Sequence, residues 1–169
     1  YRSHRGRKFE FGHGYSLFTC LLRPHSRGSV KLHKDGETHQ VLIDHNFLSD
    51  SRDEVHIVEA IKKARELLSS QEFDSVRGDE IAPGKSIQSD EDLLEYIRHS
   101  ALTVYHPVGT CKMGIDELAV VSPSDLKVKG MRNLRVIDAS IMPNIVSGNT
   151  SAPTMMIAEK GARMILDKV

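Results

Sequence analysis

Polar and apolar residues alternate over two short stretches in the first third of the chain, and this period of two predicts β-strands. Ser29 to His33 alternates in this way, and Gln40 to Asp44 forms a second short stretch. Asp35-Gly36 between them is a turn pair, so the two stretches predict an antiparallel pairing. Tyr15 to Leu22 is mostly apolar and aromatic, which predicts a further, more deeply buried strand.

Two amphipathic helices are predicted in the middle of the chain. Ser51 followed by Glu54 has the spacing of a capping box, and Ser89 followed by Asp92 begins a second helix in the same way. Behind each start, apolar residues recur every three or four positions, which places them on one face of a helix. These positions are Ile57, Ile61, Ala64 and Leu68 in the first helix, and Leu94, Ile97 and Ala101 in the second.

The chain closes with a predicted strand, loop and helix. Leu134 to Asp138 reads as a strand with an acidic residue at its carboxyl end, and Pro143 to Ser151 reads as a loop. Pro153 is expected at the first helical position, where proline is tolerated best. The apolar positions of this last helix are Met155, Ala158, Ala162 and Ile165. The whole pattern predicts an α+β fold, with an antiparallel sheet backed by helices and a terminal strand and helix.

Composition narrows the classes of partner. Lys plus Arg and Asp plus Glu both total 23, so the formal net charge is zero, and no segment concentrates basic residues. That balance argues against a nucleic-acid partner, because such binders need positive charge to attract phosphates. The apolar stretches are far shorter than the roughly 20 residues that cross a bilayer. We therefore expect no transmembrane segment and no nucleic-acid partner.

Compartment and completeness follow from weaker signals. Cys20 and Cys111 lie far apart and do not form a disulfide framework, which favours a reducing interior. The first residues show no charged region followed by an apolar one, so no secretory leader is expected. These features predict a cytoplasmic or peripherally membrane-associated protein. The chain starts at Tyr1 rather than at Met, and we expect it to be a piece of a longer protein.

Nine histidines invite a metal interpretation, which the spacing does not favour. A structural zinc site needs four nitrogen or sulfur ligands in short local pairs, and neither cysteine has such a neighbour. The pairs His33/His39 and His99/His106 are loosely spaced. No metal site is predicted. The chain also lacks a G-x-S-x-G nucleophile motif and a complete G-x-G-x-x-G dinucleotide loop.

Two segments remain as candidates for chemistry. In the first, His106 directly precedes Pro107, which holds it away from helical geometry on a stiff turn. Imidazole suits proton transfer near neutral pH, although a loop histidine that caps a helix end has the same pattern. In the second, small residues around Asn149 lead into the last helix. Free N–H groups there would attract an electron-rich ligand, although an ordinary helix cap is the simpler interpretation.

Together the motifs closely resemble the C-terminal part of the glucose–methanol–choline (GMC) flavoprotein oxidoreductases. His-Pro-Val-Gly-Thr-Cys-Lys-Met-Gly begins at His106, and Ser-Gly-Asn-Thr-Ser-Ala-Pro-Thr begins at Ser147. Between them lies the segment Asn133 to Pro143, and Leu22 to Leu32 matches the substrate domain, most closely that of the choline dehydrogenase branch. The resemblance extends from about Tyr15 to the end of the chain.

The resemblance implies oxidation of an alcohol by hydride transfer to FAD. His106 matches the family's active-site histidine, and Asn149 matches the second active-site position. A neutral imidazole would accept the hydroxyl proton, and the carboxamide would stabilise the developing alkoxide. The cofactor-binding positions implied by the resemblance are Asp138, Ala139, Thr150, Ser151 and Pro153.

The resemblance also implies a division of the chain and an incomplete cofactor site. Residues 1–131 would be the substrate-binding domain, and residues 132–169 would be the terminal strand, loop and helix of the FAD-binding domain. The family's G-x-G-x-x-G unit lies in an N-terminal region that these residues do not contain. We therefore expect this chain alone to bind flavin weakly or not at all, and to be inactive.

The implied substrate is choline or a similar primary alcohol. Aromatic residues make up only 5% of the chain, so a cage for a quaternary ammonium would come mainly from elsewhere. Self-association is expected through an exposed apolar face of the last helix. Two alternatives to an enzyme fragment stay open at this point. One is a non-enzymatic module that binds a small molecule or a protein partner, and the other, more distant, is a zinc-binding module.

Overall fold

The computed structural model describes residues 12–33 and 40–167, which form two compact units. The first unit contains residues 12–21 and 48–103, and the second contains residues 22–33, 40–47 and 104–167. The chain has two strands and three α-helices over these residues, so the predicted α+β class is confirmed. The elements are β1 (Ser29–Leu32), β2 (Val41–Asp44), α1 (Ser51–Leu68), α2 (Asp90–Ser100) and α3 (Ser151–Leu166), with 3-10 turns at Gln71–Phe73 and Ala139–Ile141.

The first unit contains an antiparallel pair of helices, α1 and α2, joined by residues 69–89. Arg98 near the end of α2 lies 2.5 Å from Glu54 near the start of α1, whereas Lys62 reaches Asp90 at the start of α2 at 2.7 Å. The facing apolar side chains form one small core, in which Leu93 is fully buried. Its buried members are Ile57, Val58, Leu93 and Ile97, and partly buried residues around it include Leu21, Ile61 and Leu94.

The two helix starts of this unit show how far a capping signal specifies a boundary. Ser89 caps α2 as predicted, because its hydroxyl accepts a hydrogen bond from the N–H of Asp92 at 3.1 Å. The predicted cap of α1 is wrong by one residue. Asp50 is the N-cap and accepts from the N–H of Arg52 at 3.0 Å, so Ser51 is already helical.

The second unit begins with the antiparallel pair β1–β2, which confirms two of the predicted strands. Ser29 pairs with Asp44 and Leu32 with Val41. Gly28 is required where the pair opens, because a Cβ there would lie 2.2 Å from the carbonyl oxygen of Asp44. The predicted turn at Asp35-Gly36 lies outside the described residues.

Two predicted strands are wrong as regular elements. Tyr15–Leu22 has no regular secondary structure, is mostly exposed and has no ladder partner among the described residues, although Leu21 contacts the core of the first unit. Leu134–Asp138 contributes only a single antiparallel bridge, between Arg135 and Lys127. Apolar content predicts burial on a sheet, but a strand also needs a neighbour whose N–H and C=O groups complete the ladder.

The core of the second unit joins loops to α3. Its buried residues are Val121, Leu126, Ile141, Met142 and Ile157. In α3 the buried face contains Ile157 and Gly161, whereas Met155, 64% exposed, and Ile165, 43% exposed, lie on the apolar face that was expected to be exposed. The close approach at Gly161 decides the choice of face, because a Cβ there would lie 2.4 Å from the side chain of Ile137.

The compact units do not follow the predicted division at residue 131. The sheet belongs to the second unit, and α1 and α2 belong to the first. Which residues belong to which domain of a longer protein is a different question, and the boundary between 131 and 132 stays a prediction. Within residues 12–33 and 40–167, no helix has the length and apolar character needed to cross a membrane.

Candidate active site

The segment that carries His106 is held in place by backbone hydrogen bonds from a distant part of the sequence. The N–H of Cys111 donates to the carbonyl of Ser140 at 3.0 Å, and the N–H of Met113 donates to Ile141 at 2.8 Å. Gly109 turns this segment with a φ of +89°, a conformation that favours glycine. The same glycine packs closely, because a Cβ there would lie 3.4 Å from the carbonyl oxygen of Met142.

His106 is brought to the start of α3, 44 residues further along the chain. Its Nδ1 lies 3.0 Å from the hydroxyl oxygen of Thr150 and 3.5 Å from the main-chain nitrogen of the same residue. The preceding residue, Tyr105, has a φ of +64°, which is uncommon for a residue with a side chain. His106 is half-buried, and Thr150 is buried with 8% of its surface exposed.

Asn149, the other predicted catalytic residue, directly precedes Thr150 and is exposed. The His106–Thr150 contact therefore brings the two predicted catalytic segments together, on adjoining parts of the second unit. The arrangement offers an imidazole whose Nδ1 contacts Thr150, and an exposed carboxamide on the residue that precedes Thr150. Chemically, such a pair can exchange one proton and donate one neutral hydrogen bond to an oxygen.

Two arginines hold the loop before Asn149, and no role was predicted for them from the sequence. Arg23 Nε donates to the hydroxyl of Ser147 at 2.6 Å, and Arg27 Nη2 donates to the side-chain oxygen of Asn144, also at 2.6 Å. Ser147 itself has a φ of +63°. Both arginines lie in the segment Leu22 to Leu32 that resembles the family, and this resemblance was the available signal that they have a role. Their hydrogen-bond partners lie more than one hundred residues away, so the sequence did not indicate them.

The start of α3 carries three of the predicted cofactor-binding residues. Thr150 is the N-cap, Ser151 is the first helical residue, and Pro153 is the third rather than the first, which corrects the predicted position. Proline is compatible with that position because the N–H groups of the first turn have no partner within the helix. The side chain of Thr150 makes no capping hydrogen bond, so it leaves the N–H groups of this turn without a side-chain acceptor.

The remaining predicted cofactor residues, Asp138 and Ala139, have local structural roles. The Asp138 carboxylate accepts a hydrogen bond from the N–H of Ser140 at 2.8 Å and caps the 3-10 turn that follows. Ala139 is half-buried against the apolar core of the second unit. The described residues contain no group of three or more His, Cys, Asp or Glu side chains arranged to hold a metal ion.

Comparison with known proteins identifies the same family over most of the chain. Residues 24–158 match the family model described as GMC oxidoreductase. An "Alcohol dehydrogenase [acceptor]" of Pseudomonas putida is 46% identical over the whole chain, and an "Oxygen-dependent choline dehydrogenase" of Staphylococcus haemolyticus is 42% identical over 96% of it.

A solved structure agrees with these relatives in fold. The Aspergillus oryzae RIB40 formate oxidase, whose structure concerns FAD modification, matches 88% of this chain with a TM-score of 0.79 and 30% identity. In every case the matched region is a minor part of the other protein. The chain spans 30% of the P. putida protein, 29% of the S. haemolyticus protein and 26% of the oxidase chain.

Proposed function

Because this chain belongs to the GMC oxidoreductase family, we propose that it is the C-terminal part of an FAD-dependent enzyme that oxidises a primary alcohol. The names of the two curated relatives, an alcohol dehydrogenase and a choline dehydrogenase, support an alcohol as substrate, with choline or a similar compound preferred. The chain spans about 30% of those relatives, so the activity belongs to a longer protein.

The contact between His106 and Thr150 is the observation that carries this proposal. This contact supports the proposal because it brings the imidazole to the residue that follows Asn149, although His106 and Thr150 are 44 residues apart in the sequence. His106 Nε2 takes the proton of the substrate hydroxyl as the alcohol is oxidised. The Asn149 amide donates a hydrogen bond to the same oxygen as negative charge develops on it, and a neutral amide does so without titrating.

FAD, when bound, supplies the acceptor for the hydride that leaves the substrate carbon. The donor set at the start of α3 fits an electron-rich ring edge, because the N–H groups of the first turn are not occupied by a side-chain cap. Thr150, Ser151 and Pro153 would lie against that edge, and Asp138 with Ala139 would lie toward the ribityl chain. These residues would hold one side of the flavin only, so the chain alone is expected to be inactive.

A chimeric enzyme tests the proposal directly. The C-terminal 30% of the P. putida alcohol dehydrogenase is replaced by this chain, which aligns with it from end to end. We expect a purified chimera that contains stoichiometric flavin and loses its visible absorbance when a primary alcohol is added without oxygen. A folded chimera that binds flavin but is not reduced by any alcohol contradicts the proposal. A defined ligand bound by the chain alone would favour a binding module instead.

Replacing His106 in that chimera separates its chemical role from folding. We expect His106→Gln to lower the rate of flavin reduction by about 10²–10⁴-fold, because a positioned base contributes that much, while flavin content stays unchanged. His99→Gln is the matched control, since His99 lies on the exposed surface of α2 beside Glu95. Equal rates in the two variants would contradict the role given to His106.

A further inference from the structure

We propose that Thr150 is a positioning residue that selects the tautomer of His106. In this assignment the Thr150 hydroxyl oxygen accepts a hydrogen bond from Nδ1–H of the imidazole, so that Nε2 carries no proton and is free to accept one. The inference rests on the proposed function, in which His106 Nε2 takes the substrate proton. It adds a role for a side chain that is otherwise expected only to lie near the flavin.

The hydroxyl of Thr150 is available for this role because it does not cap the first turn of α3. A threonine at an N-cap position usually accepts a hydrogen bond from an N–H of the first turn. Here Thr150 makes no such bond, and its Oγ1 lies 3.0 Å from His106 Nδ1 instead. The residue is buried, so water competes little for the oxygen.

Nδ1 of His106 needs a hydrogen-bond acceptor both before and after Nε2 takes the substrate proton. A neutral imidazole has a single N–H, so a base that works through Nε2 must carry its proton on Nδ1. After Nε2 has taken the substrate proton, both ring nitrogens are donors, and Nδ1–H still needs an acceptor. One oxygen at 3.0 Å serves both states without any movement of His106.

The main-chain nitrogen of Thr150 favours the opposite tautomer. A backbone N–H can only donate, so its contact with Nδ1 is satisfied when Nδ1 is unprotonated and Nε2 carries the proton. That contact is 3.5 Å long, outside the usual range of about 2.7–3.2 Å, whereas the hydroxyl contact is within it. A hydroxyl, unlike an N–H, can accept from Nδ1–H, so the shorter contact permits the Nδ1–H tautomer that the proposed function needs, and removal of the hydroxyl leaves only the group that favours the reverse.

Nuclear magnetic resonance of the ring nitrogens tests this assignment without flavin or substrate. The full chain is labelled with ¹⁵N-histidine and studied at a pH where its imidazoles are neutral, and the His106→Gln spectrum identifies the signals of His106. We expect mainly Nδ1–H in the wild type and in Thr150→Ser, and mainly Nε2–H in Thr150→Val. Thr154→Val is the matched control, because its hydroxyl bonds the carbonyl of Thr150 at 2.6 Å rather than His106.

The wild-type spectrum by itself can overturn the proposal, even if Thr150→Val does not fold. Mainly Nε2–H in the wild type, or an unchanged tautomer in a folded Thr150→Val chain, contradicts it. The two proposals also fail separately. A chimera that oxidises alcohols while its His106 is found as Nε2–H contradicts the tautomer assignment alone. An Nδ1–H signal together with a flavin-loaded chimera that no alcohol reduces contradicts the proposed function alone.

Discussion

The two compact units of this chain are stabilised in different ways. In the first unit, most ion pairs join residues close in sequence, such as Lys62 with Glu59 and Lys63 with Glu66. In the second unit the ion pairs are local too, such as Lys112 with Asp116, but two arginines bond to neutral side chains more than one hundred residues away, Arg23 to Ser147 and Arg27 to Asn144. The first unit is built from two long regular helices, whereas α3 is the only α-helix of the second within the described residues.

This difference shows where the candidate chemistry resides. All the predicted catalytic and cofactor-binding residues lie in the second unit, where irregular segments are fixed by non-local hydrogen bonds. Such segments can bring distant residues such as His106 and Thr150 together and can hold uncommon backbone conformations, as at Tyr105 and Ser147. Functional groups are often placed on loops for this reason, while regular elements supply the scaffold.

The largest effect is expected from opening the core of the first unit. Leu93→Ala should lower the free energy of unfolding by about 2–5 kcal/mol, because Leu93 is fully buried and its removal leaves a cavity. Amide hydrogen exchange should become faster throughout α1 and α2. It should remain slow at the N–H of Met113 in the second unit, which donates to the carbonyl of Ile141. Equal loss of protection in both units would show that they unfold together and would remove the contrast.

A smaller loss is expected from crowding the core of the second unit. In Gly161→Ala the new Cβ would lie 2.4 Å from Ile137, and such overpacking typically costs about 1–3 kcal/mol. The better helix propensity of alanine offsets up to about 1 kcal/mol of this loss. Adding Ile137→Ala should restore space, so the double variant should lose less stability than the sum of the single variants in denaturant titrations.

Gly78→Ala is the matched control for that experiment. Nothing lies within 4 Å of the Cβ that alanine would add there, so we expect stability to change by no more than about 0.5 kcal/mol. Strictly additive effects of Gly161→Ala and Ile137→Ala would contradict the contact that fixes which face of α3 is buried.

The smallest effect is electrostatic and confined to the surface of the second unit. A hydrogen bond from Lys112 lowers the pKa of the Asp116 carboxyl below its ordinary value. A carboxyl with a lowered pKa in the folded state stabilises that state above its unfolded pKa and loses this contribution as the pH falls through the folded pKa. Lys112→Met should therefore raise the pKa of Asp116 in a carbon-detected titration, and an unchanged pKa would show that the ion pair does not form in solution.

Local sequence signals located the two helices of the first unit, but not all of its buried residues. Ser89 with Asp92 located the start of α2, and Ile57 and Ile61 of the predicted stripe of α1 lie in the core. In α2 the predicted stripe missed the fully buried Leu93, and its member Ala101 is exposed at the C-cap.

In the second unit the same spacing identified α3 and the exposed face that carries Met155 and Ile165, but it did not indicate that Ile157 and Gly161 are the buried residues. Periodicity shows that a helix has apolar residues, but it does not show which of them a neighbour covers.

The sequence by itself determined the family, the candidate residues and the elements whose hydrogen bonds are local. Helices and tight strand pairs are specified this way because their partners lie a few residues apart. Only the tertiary structure decided that His106 meets Thr150, that Arg23 holds the loop before Asn149, and that Gly161 packs on Ile137. Contacts between distant residues depend on the path of the whole chain, and a single sequence carries no local signal for them.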